Sequence, residues 1–590
     1  ANFVILHFRV TPFSAVDFTL ITSAIKVSSH YFNIFNIAMM VVAVIVLLGG
    51  LIGLFRKAPV NDRYSHKRLM FSGIFFATLG AAIAVIHSSS HSVQALSTQY
   101  TNIAEAYEDY GFAYCFANSI IDSGIKKPED YSEDSVKTIV DSLETTQEQS
   151  EKPNVIMIQL ESFFDVEYVK GLEFSQDPLP YFHWLRENYS TGLITVPTVG
   201  AGTVNTEFEV LTGMRQHDFG VSEYPYKTIL KSTPSESICN DLKQLGYQTH
   251  AVHNNEATFY SRYKVFANLG FDTFTSMEYI NGLTDNPNGW CKDDVLTREI
   301  LKTLDATQGP DFTMAITVQS HGKYDGIEMS DSQTVEVSGA PEGKEDAYQY
   351  YVSQIYEVDQ MIGALIRELE KRQEKTVLVL YGDHLPSLGL EEQDLSNGNL
   401  YQTQYVIWDN MNLKKQDGNL SSYQLYPEVL NRVGIHEGLI TRYHQQKDQQ
   451  AEDYLEGLTT LSYDLLYGKN YAYGGTNPFT ATELQMGQDE VRITGVQESG
   501  DGYVVTGMGF TPYAHVLYDG KELETEFKDA ATLVVTGDVV FDPDKEAYDP
   551  DAIEKPEDVP NAFVVEIQTE DGICLSSTEA FPWKASSVTP

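Results

Sequence analysis

Cysteine is scarce in this chain of 590 residues, which holds only 4: Cys115, Cys239, Cys291 and Cys574, widely scattered and without a C-x-x-C pair. That spacing excludes a zinc ribbon and a disulfide-dense scaffold, since both need closely spaced or systematically paired sulfurs. A single bridge stays open, and four buried thiols is the reading adopted. Basic residues are also few, with 40 Lys and Arg against 83 Asp and Glu, a formal net charge of −43. Nucleic-acid binding depends on clustered cations facing phosphate, so a nucleic-acid partner is excluded. An acidic surface confers solubility and says little about fold. It does require that an anionic substrate find its positive charge locally. No internal repeat is visible, and the length predicts three or four structural units.

Two long apolar runs are present, Ile34 to Phe55 and Leu69 to His87. A helix rises ~1.5 Å per residue and the hydrocarbon core is ~30 Å thick, so about 20 residues suffice to cross. The runs predict transmembrane helices at about 34–55 and 69–87, within a membrane region over 1–88. The loop between them carries Arg56, Lys57, Arg63, Lys67 and Arg68 against Asp62 alone. The positive-inside rule places that loop in the cytoplasm, hence everything after His87 outside the cell: a multi-pass cell-membrane protein. The chain opens on Ala, and ANFVILHF reads as the tail of a further apolar segment. A piece of a longer membrane protein is therefore expected; a signal peptide would need a basic start. Segment 11–30 is too polar to span and is expected to lie along the outer interface as an amphipathic helix.

Residues 89–152 are polar and helical in flavour, an extracellular linker. Over 153–485, short apolar runs alternate with amphipathic helices: NVIMIQL (154–160), GLITVP (192–197), QTHAVH (248–253), FTMAITVQ (312–319) and TVLVLYG (376–382). Continuous apolar strands separated by helices predict an α/β domain, a mostly parallel sheet with helices on both faces. Tyr351, Ile355, Val358, Ile362, Leu365 and Leu369 recur at helical spacing before the last strand. Another helix is predicted to begin at Pro234 and run through ESICNDLKQL to Gly246. From 486 to 590, β-rich segments such as VRITGVQ, GYVVTGMGF and FVVEIQT, broken by turn residues, predict a small Ig-like β-sandwich.

In open α/β sheets functional groups collect beyond the carboxyl ends of the strands. Reading the residue after each run yields Glu161, Asp383 with His384, His321, and His253 followed by Asn254 and Asn255. Glu161, Asp383 and His384 form a carboxylate and imidazole set without sulfur, which suits Mn²⁺, Mg²⁺ or Zn²⁺ at a reactive site better than structural zinc. A solvated loop acid would explain Glu161 alone but not the three together. The segment GAGTVNTEFEVLTG (200–213) places Thr203 after a glycine turn at the start of a helix-like run, where free N–H groups and the helix dipole favour phosphate oxygens. A threonine hydroxyl needs a metal or a base to act as nucleophile. With an ion on Glu161, Asp383 and His384, Thr203 is its natural fourth ligand; the bland alternative is an ordinary helix cap.

LESFFD, GAGTVNTEFEVLTG, HAVHNNEATFYSR, QSHGKYD and YGDHLPSLG together resemble the motif series of lipoteichoic acid synthase-type phosphoglycerol transferases, a branch of the alkaline phosphatase/sulfatase superfamily. The order and spacing match along roughly residues 150–480. The resemblance implies a sulfatase-like fold and one Mn²⁺ or Mg²⁺, in preference to Zn²⁺, on Glu161, Thr203, Asp383 and His384. It implies that His253, Tyr260, Arg262 and His321 hold the lipid head group, the Arg262 fork supplying positive charge. The implied reaction starts with attack of Thr203 on phosphatidylglycerol, releasing diacylglycerol. Glycerophospho-Thr203 then gives its group to a polyglycerolphosphate or glycolipid hydroxyl, with His321 or His253 serving the leaving oxygen, in a Gram-positive type bacterium.

Tyr260 stands where the best-known members carry tryptophan, Val204-Asn205-Thr206 replaces a stretch richer in Ser and Asp, and the C-terminal sandwich lies outside the minimal enzyme. A phosphoethanolamine transferase, usually rich in disulfides, and a phosphodiesterase share the same core. A sulfatase would need a Cys/Ser-x-Pro-x-Arg nucleophile motif, absent after Gly202. A non-catalytic surface protein would have no need of all four ligand-type residues.

Overall fold

A strand buried on both faces reads as a largely apolar run, and all five runs become strands, buried almost throughout except the one over GLITVP, which is mostly half-buried. In the computed structural model they are Asn154–Leu160 (β1), Ser190–Thr195 (β2), Gln248–His253 (β3), Asp311–Ile316 (β5) and Thr376–Gly382 (β6). Four further strands join them: Thr273–Thr275 (β4), Gln402–Asp409 (β7), Leu420–Ser421 (β8) and Gln485–Met486 (β9). The order across the nine-stranded sheet is β8-β2-β7-β6-β1-β5-β3-β4-β9. Pairing is parallel except at β7, which runs antiparallel to β2 and β6, so the sheet is mixed and mostly parallel. β7 escapes the apolar pattern because it opens on QTQ. Its polar side chains are used internally: Thr403 donates to the Gly382 carbonyl at 2.7 Å and Gln404 accepts from the Asp165 N–H at 3.0 Å. A separate two-stranded antiparallel ribbon pairs Glu173–Phe174 with Val337–Ser338.

The structure describes residues 13–18, 34–57, 110–121, 123–145, 152–220, 223–327, 334–500, 502–537, 539–542 and 555–583, with a few positions between 70 and 107. They fall into two compact units, one built from residues up to 126 with 217–223, the other from 127–216 and 224 onward.

In the first unit, the first apolar run forms the helix Ile34–Lys57. Met39, Val42, Ile45, Val46, Leu48, Leu51, Ile52 and Leu54 on it are exposed. Counting only described residues, no helix is long and apolar enough to cross a membrane; several side chains of this helix and most of 69–87 lie outside them. Of segment 11–30, the described part ends in a short 3-10 turn, Ala15–Phe18, and the rest lies outside.

In the second unit, helices cover the sheet. Glu345–Leu369 buries Tyr351, Ile355, Val358, Ile362, Leu365 and Leu369 completely. The helix expected from Pro234 starts later, at Ile238, and stops at Lys243. Ser237 decides this: its hydroxyl accepts from the N–H groups of Cys239 and Asn240, which fixes the first turn beyond the proline. Of the four cysteines, Cys115, Cys239 and Cys291 are buried; Cys574, on the strand Cys574–Ser577, is exposed, against the expectation of four buried thiols.

Residues Arg492–Pro582 form an eight-stranded antiparallel sheet. The strand Lys521–Asp529 pairs with Ala514–Tyr518 through its first residues and with Thr532–Thr536 through the rest, joining two halves of one sheet. Val505, Phe510, Val516, Leu533, Phe563 and Ile567 form its core. Tyr279 of the α/β part packs into that core, its hydroxyl 2.6 Å from Ser576 Oγ, while Thr511 donates to the Glu278 carbonyl at 2.7 Å.

The helix Thr203–Thr212 ends at Gly213, where φ is 69° and an added Cβ would lie 2.7 Å from Ile440. The Gly213 carbonyl accepts from His444 Nε2 at 2.8 Å, and His444 Nδ1 accepts from the Tyr454 hydroxyl at 2.6 Å. Burial drives His444 down to about 4, the Gly213 bond opposing only in part. Between that value and ~6.5 the unfolded chain binds more protons, so this contribution is complete above the unfolded value and is lost as pH falls toward 4. His444→Gln is therefore expected to remove roughly 1.4 kcal/mol of the stability difference between pH 7.5 and 5.5, measured by urea unfolding of both proteins at both pH values.

Candidate active site

β6, β1 and β5 lie side by side, so the residues beyond their carboxyl ends are neighbours. Parallel register sets Leu160 opposite Gly382, which brings Glu161 beside Asp383. Gly382 has no room for a side chain: an added Cβ would lie 2.0 Å from the Phe163 carbonyl oxygen. The chain turns at Ser162 (φ 49°), whose N–H donates to Asp383 Oδ1 at 2.7 Å and whose hydroxyl donates to Glu161 Oε1 at 2.9 Å. The His384 N–H adds a second 2.7 Å bond to Asp383 Oδ1.

His384 Nδ1 donates to the Leu385 carbonyl at 2.9 Å, which leaves the lone pair on Nε2. That atom is 3.4 Å from Asp383 Oδ2 and 3.7 Å from Glu161 Oε1. Asp383 Oδ2 and His384 Nε2 are buried without a hydrogen-bond partner, and the ligand atoms of Glu161, Asp383 and His384 lie within 4.8 Å of one another. Buried acceptors facing one another with no donor between them are costly, and a cation at their centre satisfies all three. The set fits a hard or borderline divalent ion.

The charges respond accordingly. Burial, then the Glu161 charge, pushes the Asp383 carboxyl well above its usual range. Burial alone would raise Glu161 too, but His321, His384 and the hydroxyls of Ser162 and Thr203 outweigh it and hold Glu161 low. Burial keeps His384 below its ordinary value. Asp165, Glu167 and His183 form a second acid and imidazole cluster. There Arg186 donates to Asp165 at 2.6 Å and His183 to Asp177 at 2.8 Å, so the protein compensates the charge itself.

Thr203 is the first residue of its helix, and the cap position is Gly202, with φ 99° and no side chain. The helix-cap alternative for Thr203 is thereby removed. Its hydroxyl instead donates to Glu161 Oε2 at 2.9 Å. Gln159 donates to the Thr203 carbonyl at 3.2 Å, and Thr206 to the Asp383 carbonyl at 2.7 Å, tying the helix start to β1 and β6.

His253, at the end of β3, donates from Nδ1 to the Ile316 carbonyl at 2.8 Å. Burial, then the Arg262 charge, lowers it far below its ordinary value, so it is neutral. His321 follows β5; its Nδ1 donates to the Gly322 carbonyl at 2.7 Å and its ring centroid lies 4.5 Å from that of Trp290. Tyr260, with φ 54°, lies 5.5 Å from the Arg262 guanidinium and 5.4 Å from Lys227 Nζ, measured from its ring centroid. Arg262 corrects one expectation. Rather than standing as uncompensated positive charge, it is buried and grips Glu207 through Nε and Nη2 at 3.2 and 3.0 Å. Only Nη1, buried and unpartnered, remains.

The structure thus gathers Glu161, Thr203, Asp383 and His384 in one cluster, sets His321 within electrostatic reach of it, and groups His253, Tyr260 and Arg262. Sequence reasoning missed Glu207, Trp290, Ser162 and Asp293. Asp293 accepts from the N–H groups of Val318 and Gln319 and from Asn254, holding the loop that carries His321. Trp290 and Asp293 come from a segment with no strand before it and gave no signal. Glu207 had one: it lies four residues after Thr203, on the same helix face.

Residues 153–435 match the sulfatase family model. A putative cyclic beta-1,2-glucan modification protein of Rhizobium meliloti is 27% identical over 414 residues, 62% of this chain and 63% of that protein. The lipoteichoic acid synthase of Staphylococcus saprophyticus is 24% identical over 243 residues, 40% of this chain and 36% of that protein. The chain therefore spans less than two thirds of the length of either relative. The Streptococcus pyogenes phosphoglycerol transferase GacH, solved in complex with sn-glycerol-1-phosphate, superposes with a TM-score of 0.52 at 21% identity, covering 61% of this chain and 100% of that one; this likeness establishes the fold. The likeness is thus to the sulfatase family model over residues 153–435, with lipoteichoic acid synthases among the similar proteins.

Calorimetric titration with Mn²⁺ is expected to give one site per chain, and Asp383→Asn to weaken it roughly 100-fold. At an ion concentration ~100 times the parent's dissociation constant, the parent should gain about 2.7 kcal/mol of stability and the variant only about 0.4 kcal/mol.

Proposed function

We propose that this sulfatase-family chain is a membrane-anchored phosphoglycerol transferase, moving glycerol phosphate from phosphatidylglycerol to a polyglycerolphosphate or glycolipid hydroxyl through a covalent Thr203 intermediate. The observation that carries the reading is the Thr203 hydroxyl, at a helix N-terminus, directed onto Glu161 beside the two orphaned acceptors of Asp383 and His384. That arrangement fits one divalent ion, Mn²⁺ or Mg²⁺, with Glu161, Thr203, Asp383 and His384 as its ligands. Such an ion supplies Lewis-acid polarisation of a phosphoryl oxygen and a lowered hydroxyl pKa.

In the first half-reaction Thr203 Oγ1 forms its bond to phosphorus while the bond from phosphorus to the diacylglycerol oxygen breaks. His253, kept neutral and with its free lone pair on Nε2, suits a hydrogen bond accepted from a glycerol hydroxyl. Proton delivery to the leaving oxygen then falls to His321. Arg262 Nη1 offers a donor to a phosphate oxygen, with Tyr260 packed against the same guanidinium. The acceptor hydroxyl displaces Thr203 in the second half-reaction, passing its proton back through the same groups.

Support for the anchor comes from the sequence, where the apolar run Ile34 to Phe55 carries no charged residue; the described apolar side chains of the helix formed on it are exposed. The basic loop after it argues for an extracellular catalytic domain. A second reading of the acceptor, a glucan hydroxyl, is favoured by the broader alignment with the Rhizobium protein, 62% of this chain against 40% for the staphylococcal synthase.

Incubation with labelled phosphatidylglycerol and Mn²⁺ is expected to leave a glycerophosphate adduct on Thr203, found by peptide mass spectrometry, together with free diacylglycerol. Thr203→Ala should lose the adduct and roughly 10³-fold or more of the turnover while still binding the ion. Absence of both adduct and diacylglycerol would sink the reading. Offering polyglycerolphosphate, glycolipid and cyclic glucan in parallel identifies the acceptor by which one gains label.

A further inference from the structure

Glu207, which pairs with Arg262, has no task of its own in the reaction as written. Arg262 is 1% exposed and Glu207 0%, and an ion pair taken wholly out of water contributes little stability over an apolar pair of the same volume. Its placement points to a different role. Glu207 sits one helical turn beyond Thr203, and its charge is felt at Tyr381, two residues before Asp383. The Arg262 charge is felt at His253. Two of the three N–H-bearing nitrogens of the guanidinium are committed to Glu207, and the third, Nη1, is buried with nothing to bond.

The charge balance around Thr203 follows. Glu161 and Asp383 would together offset a divalent ion, and Glu207 offsets Arg262, so these side chains present donors without adding surplus positive charge. A phosphodiester carries one negative charge; a phosphate monoester carries about 1.5 to 2 at neutral pH. A centre with no surplus charge holds a monoanion but disfavours a second negative charge brought into the same dry volume.

We propose that Glu207 is a charge-compensating positioning residue that makes this site select monoanionic phosphodiesters over dianionic phosphate monoesters, by cancelling the Arg262 charge while leaving Nη1 free to donate. The proposal rests on the phosphotransfer reading above, and the test separates the two.

The full chain, loaded with Mn²⁺, is assayed for kcat/KM on bis(p-nitrophenyl) phosphate and on p-nitrophenyl phosphate. In a Thr203→Ala background, calorimetry compares affinity for dimethyl phosphate and for inorganic phosphate. Glu207→Gln is expected to raise the monoester-to-diester ratio about tenfold in both measurements. The double variant Glu207→Gln with Arg262→Gln, balanced again, should return the ratio to within about threefold of the parent while lowering both values. If Glu207→Gln does not fold, Arg262→Gln alone gives the opposite sign, its leftover carboxylate depressing the ratio. A ratio unmoved in the folded variants overturns the proposal and leaves the pair a packing element. Should the parent turn over neither ester while the binding ratio shifts as expected, the transfer reading fails and the role of Glu207 stands.

Discussion

His384 Nε2 lies 3.4 Å from Asp383 Oδ2 and 3.7 Å from Glu161 Oε1, and neither the nitrogen nor the Asp383 oxygen has a hydrogen-bond partner in its buried setting. No described protein donor reaches Asp383 Oδ2 or His384 Nε2, an arrangement whose cost a bound cation would remove. The surroundings are built to hold this arrangement. Parallel register brings two strand ends to one level, the Ser162 and His384 N–H groups fix one Asp383 oxygen and leave the other bare, and the Leu385 carbonyl fixes the imidazole tautomer. The Thr203 helix is then fastened at its start to the same two strands and at its end by His444. The Thr203 hydroxyl is thereby held in place from both ends of its helix, as the proposed attack would require.

A net charge of −43 is an awkward background for handling phosphate, and the site answers without surplus basic side chains. Arg262 is neutralised by Glu207, and His253 is kept neutral by burial and by Arg262. On the proposed reading, attraction for phosphate would come from directed N–H groups, the helix N-terminus and a bound ion, none of which depends on the field of the outer surface. Local order replaces bulk charge.

The antiparallel sheet at the C-terminal end is fastened to the α/β part rather than tethered to it. Strand β9 adds the edge of the large sheet just before the chain enters the new one, and Tyr279, Glu278 and Asn281 of the α/β part bond or pack against it. None of these contacts involves Thr203, Glu161, Asp383 or His384, so the sheet stabilises the unit that carries the site without entering it.

How much was legible follows from the range over which each feature is decided. A strand covered on both faces has to be apolar and has to end where a polar group first becomes useful, so β1, β3, β5 and β6 announced Glu161, His253, His321 and the Asp383–His384 pair from local pattern alone; the glycine turn before Thr203 did the same for that residue. β7 stayed hidden because its QTQ start satisfies its polarity through partners elsewhere in the chain, and Ser237 moved a helix start by competing for N–H groups that the proline reading ignored. Charge cancellation was beyond any local reading: Arg262 and Glu207 stand 55 residues apart, Asp293 and Val318 stand 25 apart, and each pair is joined only by packing. The chain's order of residues determined which groups stand at strand ends and helix starts. Only the tertiary structure decided which strands are neighbours, which atoms are left without partners, and which charges cancel, because those depend on distances that sequence separation does not encode.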